Sequence, residues 1–184
     1  PSDVRCAEPG RQSGTVPLRS LIRRRTVRVF APDAVPFEAV RELVETARWT
    51  GSARNRQPWR FVAVYDAERR RALSRLGAYA GHLADAPVVL VILGPAERGL
   101  DTEFDIGRIA QSITLAAVEQ GLGSCIVSLY PEENSRAAAA LVGADPDWSA
   151  RHAIALGRPG SSTAAGRSAI PLGRHETDDI LRAL

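Results

Sequence analysis

Gly51-Ser52-Ala53-Arg54-Asn55-Arg56-Gln57-Pro58-Trp59-Arg60-Phe61 is the stretch around which the rest of the chain can be arranged. It joins a segment of helical spacing ending near Thr50 to a strand-like run at 61–65, rich in Val and aromatic residues. Ser52 contributes a hydroxyl, and Asn55 and Gln57 contribute amides, so the loop holds groups that both donate and accept hydrogen bonds. Pro58 favours extended backbone at the residue before it and so opens the strand. A loop of this chemistry suits the edge of a flat ring with mixed donors and acceptors. Taken alone, it reads first as an ordinary polar connector.

Upstream, Arg23-Arg24-Arg25-Thr26-Val27-Arg28-Val29-Phe30 sets three arginines, a hydroxyl and a fourth arginine close together. Forked guanidinium groups can hold a phosphate dianion and leave one cation to face another electron-rich group. A solvated basic face is the plain alternative. A third block, Asp105-Ile106-Gly107-Arg108-Ile109-Ala110-Gln111, opens a helical pattern that leads to Gly121-Leu122-Gly123-Ser124-Cys125.

In this order and at these separations the three blocks resemble the nitroreductase family of flavin enzymes, over about residues 18–184. The resemblance implies an α+β fold with a mixed, mainly antiparallel sheet flanked by helices. It also implies an interlocked homodimer with FMN at the interface. The implied activity is passage of hydride from NADH or NADPH through FMN to a nitroaromatic, quinone or similar electron-poor acceptor. A flavin- or deazaflavin-binding accessory protein without nicotinamide turnover is the alternative.

The resemblance carries over to particular residues. Arg24 and Thr26 match phosphate and ribityl contacts, with Arg25 a further cofactor contact or an intersubunit ion pair. Arg28 matches the basic residue beside ring atoms N1 and O2, where a fixed positive charge favours the anionic reduced ring. Ser52, Ala53 and Asn55 match a loop that reaches the flavin from the other subunit. Gln57 belongs to the same site, and with Trp59 it supports the loop. Ile126, Val127, Ser128 and Leu129 match the segment whose backbone lies over the ring near N5, and Arg167 matches a C-terminal phosphate contact. Departures from the family pattern fall at Tyr79, His82 and Ala169, and at Ser128, where some relatives carry Glu. The segment 94–101 is also short where relatives often carry a long insertion.

Length and composition bound the rest. A chain of 184 residues suits one domain or one protomer of a dimer, read here as a flexible arm at 1–17 followed by a single domain at 18–184. With 45% hydrophobic and 24% charged residues it should be soluble, and its longest apolar run, 86–93, is strand length, so no membrane partner is expected. All 24 basic residues are arginine and the net charge is +3, a spread excess that argues against a dedicated nucleic-acid binder. Cys6 and Cys125 form no CxxC pair, and the polar first seventeen residues lack the apolar centre of a secretory signal, so the expected location is cytoplasmic. His82, His152 and His175 lie far apart without ligand-spaced carboxylates, so no metal site is expected. Gly121-Leu122-Gly123 follows a helix and lacks a third glycine, which sets aside a dinucleotide fingerprint.

Periodicity predicts helices over 36–48, 67–76, 102–120, 131–141 and 176–184, and strands over 61–65, 87–93, 124–129 and 153–156. The run at 87–93 lacks alternation, so it should be buried on both faces. Trp59 and Cys125 are expected in the core.

Overall fold

The computed structural model describes residues 17–97, 99–161 and 173–183. The arm expected at 1–17, apart from Pro17, and the phosphate contact expected at Arg167 therefore lie outside the described residues. The order of elements is α1 (Leu18–Ile22), α2 (Phe37–Ala47), a 3-10 turn (Ala53–Asn55), β1 (Arg60–Val64) and α3 (Ala67–Leu73). There follow β2 (Val88–Pro95), α4 (Leu100–Glu119), β3 (Gly123–Ser128), α5 (Glu132–Leu141), β4 (Trp148–Gly157) and α6 (Thr177–Ile180).

Among the described residues the strands form one sheet in the order β1-β2-β4-β3, antiparallel at every pairing. This is the α+β architecture expected, with helices on both faces. β2 is buried from Val88 to Gly94, which is why its sequence shows no alternation. One face is covered by α2 and α4, where Val40, Leu43, Ile106, Ile109 and Ile113 pack on Leu90, Ile92, Ile154 and Leu156. The other face is covered by α3 and α5, with Leu73, Ala138 and Ala139 against Val89, Val91, Val127 and Ala155. Trp59 and Cys125 are both in the core.

Local signals set most boundaries. The Asp66 carboxylate accepts from the Arg69 N–H at 2.8 Å, capping α3. Pro36 is the N-cap residue of α2 rather than its first helical residue. Gly121, at φ 71°, takes the left-handed conformation that ends α4. Two elements differ most from expectation in extent. β4 runs from Trp148, since Ser149 and Trp148 pair with Gly94 and Pro95 beyond a register shift that periodicity does not reveal. The closing helix is a single turn, Thr177–Ile180, with no residue buried to hold more of it.

Ile113 is fully buried between α4 and the sheet, whereas Leu100 is 91% exposed. Ile113→Ala should lower unfolding free energy by about 2–5 kcal/mol, and Leu100→Ala by no more than about 0.5 kcal/mol, in urea titrations of the two variants.

Candidate functional site

β3 closes the sheet on one side, and its register decides what it exposes. The Leu129 N–H donates to the Arg151 carbonyl at 2.7 Å, so alternate residues back along β3 exchange backbone bonds with β4. The remaining residues, Ser124, Ile126 and Ser128, then turn their N–H and C=O groups to the open edge. The Ser124 carbonyl accepts from the Val27 N–H at 2.9 Å, so the arginine segment runs along this edge. The Ser128 carbonyl abuts Gly77, where a side-chain carbon would stand 2.5 Å away. The edge-facing N–H groups of Ile126 and Ser128 have no backbone acceptor outside the sheet among the described residues.

The arginine segment approaches β3 closely because Gly123 has no side chain. A Cβ there would lie 2.7 Å from the Cβ of Val27. The segment, the end of α4 and the outer face of β3 enclose a cavity of about 650 Å³. Arg24, Arg25, Thr26 and Arg28 line it, together with Ser124 and Ile126. The volume lies within the roughly 300–1,000 Å³ of small-ligand sites. A row of exposed guanidinium groups supplies the cation density that a phosphate needs, and the β3 N–H groups without backbone acceptors among the described residues suit acceptor atoms on a ring.

Arg28 also reaches a half-buried imidazole and a buried thiol. Burial pushes the His82 imidazole below its ordinary pKa and nearby Arg28 adds to this, while a bond to the Tyr79 backbone opposes it. Burial raises the Cys125 thiol, and Arg28 acts in the opposite sense. His82 Nε2 is sealed from solvent with no hydrogen-bond partner among the described residues. His82 thus stands beside Arg28, and Tyr79 is 88% exposed.

The polar loop is pinned from below. The Ala53 N–H donates to Asp105 Oδ2 at 2.8 Å, and Asp105, 1% exposed, also pairs with Arg108 at 3.6 Å. Ser52 Oγ accepts from the Gln57 N–H at 2.9 Å, and the Gln57 side chain donates to Asn55 Oδ1 at 3.1 Å. Arg54, Asn55 and Gln57 all have positive φ, near 50°, a backbone that L-residues hold only when surrounding contacts fix it. The loop is tightly specified, and Gln57 is engaged within it.

A single chain does not bring the predicted residues into one place. Arg24, Arg25, Thr26 and Arg28 share the 650 Å³ cavity, whereas Ser52, Ala53, Asn55 and Gln57 do not line it. A second cavity of about 630 Å³ beside the loop is lined by Thr50, Gly51, Glu103, Phe104 and Arg108, and Gln111 lines both. Val127 on β3 and Leu129 just past its end are buried in the core, and Ser128 points outward. Two features escaped the sequence reading. One is the anchoring role of Asp105, signalled by a carboxylate beside the buried Ile106 and Ile109. The other is a contact of His152 with Ser128 and Glu103, which only strand register brings together.

The fold agrees with the comparisons. The Nitroreductase family profile matches residues 21–78 and 74–158, and the chain belongs to the Nitroreductase family. It is 40% identical over 79 residues to the NADH dehydrogenase of Thermus thermophilus, a match covering 43% of this chain and 38% of that protein. Among solved structures, the FMN-dependent nitroreductase of Clostridium difficile superposes with a TM-score of 0.70 at 22% identity, covering 87% of this chain and 92% of that one. A mutant of the FMN and NADPH-dependent nitroreductase NfnB from a Sphigopyxis strain gives 0.74 at 21% identity, covering 90% and 97%. Among the described residues, no helix is long and apolar enough to cross a membrane.

Asp105→Ala leaves the Ala53 N–H without its acceptor, so stability should fall by about 1–3 kcal/mol and amide exchange at Ala53 should quicken. His82 gives a pH test. Its folded pKa lies below its unfolded value, so the unfolded chain binds the proton first and stability declines as pH falls through about 6.5. Urea midpoints measured from pH 7.5 to 5 should drop less in His82→Asn than in the parent.

Proposed function

We propose that the protein is a homodimeric FMN oxidoreductase that takes hydride from NADH or NADPH and delivers electrons to a nitroaromatic, quinone or similar electron-poor acceptor. The observation that carries this reading is the juxtaposition on β3's edge: a guanidinium-lined cavity beside two backbone N–H groups free of backbone acceptors among the described residues. FMN bound there supplies a two-electron carrier.

The residues divide the binding work. Arg24, Arg25 and Thr26 hold the phosphate and ribityl chain, joined by Arg167. Arg28 sets positive charge against the pyrimidine side and favours the reduced, anionic ring. The Ile126 and Ser128 N–H groups meet acceptor atoms on the ring edge, so the contact rests on the backbone rather than on side chains at Val127, Ser128 or Leu129. Ser52, Ala53 and Asn55, with Gln57 bracing them, complete the site from the second copy. Their separation from the arginine cavity within one chain supports this assignment. Exposed Ile22, Phe104, Ile126 and Tyr130 give the pair apolar surface to bury. Residues 18–184 act as a single domain in a cytoplasmic protein, with 1–17 as an arm.

One feature favours a second reading, a flavin- or deazaflavin-binding accessory without nicotinamide turnover. Only residues 96–99 separate β2 from α4, which leaves little chain to cover a substrate. Anaerobic addition of NADH or NADPH to the FMN-loaded protein separates the two. Bleaching of the flavin absorbance is expected, and none with either nucleotide would favour the accessory. Arg24→Ala should weaken FMN binding roughly ten- to a hundredfold in a fluorescence titration, the effect of one charge-assisted contact.

A further inference from the structure

The outward residues of β3 do not end at the cavity wall. Ser124 and Ile126 line the arginine cavity, and Ser128 continues the same face one step along. Directly across on β4, His152 places Nδ1 3.2 Å from Ser128 Oγ. Its Nε2 lies 3.3 Å from Glu103 Oε2 on α4, and Glu103 lines the second cavity. Strand register, sheet order and the first turns of α4 thus assemble a hydroxyl, an imidazole and a carboxylate in a line. On its other strand neighbour His152 pairs with Ile92.

We propose that Ser128, His152 and Glu103 form a proton relay that serves acceptor reduction. This rests on the flavin reading of the preceding subsection. A quinone reduced at the site gains a hydride from the reduced flavin and must gain one proton to become a hydroquinone. With His152 charged, Nε2–H donates to the Glu103 carboxylate and Nδ1–H donates to Ser128, whose own O–H then faces outward. Ser128 Oγ–H passes its proton to the acceptor oxygen, and His152 Nδ1–H replaces it. His152 is left neutral, with its Nε2–H still on Glu103, and recovers a proton from water. The bonds balance: one O–H forms on the acceptor, one N–H breaks on His152, and the electron pair comes from the flavin. Ser128 is the catalytic residue, and Glu103 positions the ring.

The test separates the two half-reactions. Reduction of the flavin by NADH or NADPH is a hydride transfer that needs no proton donor, so it serves as the reference on each variant. In stopped-flow measurements with benzoquinone, His152→Gln and Ser128→Ala should each slow reoxidation by roughly 10–100-fold relative to reduction of the same variant. The solvent isotope effect on reoxidation should fall towards unity in both, and Ser128→Thr should restore it. A readout independent of turnover comes from nitrogen NMR of the flavin-free protein. The His152 ring signals should shift in Ser128→Ala at Nδ1 and in Glu103→Gln at Nε2. Half-reactions that fall together, an unchanged isotope effect or unshifted ring signals would overturn the relay while leaving the flavin reading intact. A folded protein that takes up no FMN would overturn both.

Discussion

An antiparallel edge strand must dispose of the N–H and C=O groups that face away from its neighbour, and the site follows from how β3 does so. The register with β4 sends Ser124, Ile126 and Ser128 to the open side. Among the described residues, only the Ser124 carbonyl makes a backbone bond there, accepting from Val27 as the arginine segment passes. Exposed donors held on a rigid sheet, without backbone acceptors among the described residues, are preorganised for a ligand. The cations arrive on the same side because the chain crosses β3 at Gly123, where any side chain would collide with Val27.

The second constraint is a buried carboxylate. Asp105 sits in the apolar stripe of α4, and the Ala53 N–H and Arg108 offset its desolvation. That bond ties a strained loop, with three positive-φ residues other than glycine, to the most deeply packed helix of the fold. The loop's polar side chains are thereby fixed before any ligand meets them, and binding loses less conformational entropy. α4 thus serves both halves of the site, through Asp105 at one end and Gln111 between the two cavities.

Much of this was legible in the sequence, for physical reasons that differ by element. The unbroken apolar run of β2 and the three-and-four spacing on α4 announce burial directly. The glycines of 121–123 could be quoted as a motif, but what each does requires the tertiary approach of Val27 and the φ of Gly121. The start of β4 was missed because its pairing resumes beyond a register shift, which leaves no periodic signature. The contact of His152 with Ser128 and Glu103 joins residues on three elements, and only the pairing of β3 with β4 makes it visible. The loop residues and the arginines, recognised together as blocks, prove to lie apart within one chain, and that separation is the reason to assign them to two copies.

That assignment can be tested by mixing two defective proteins. One carries Arg24→Ala and Arg28→Ala, the other Ser52→Ala and Asn55→Ala, and each alone should bind FMN poorly. After co-refolding, a mixed dimer contains one site with both halves intact, so yellow flavin absorbance should reappear in the dimer fraction. Mixed dimers that form and stay colourless would show that each chain builds its site alone, and would contradict the account.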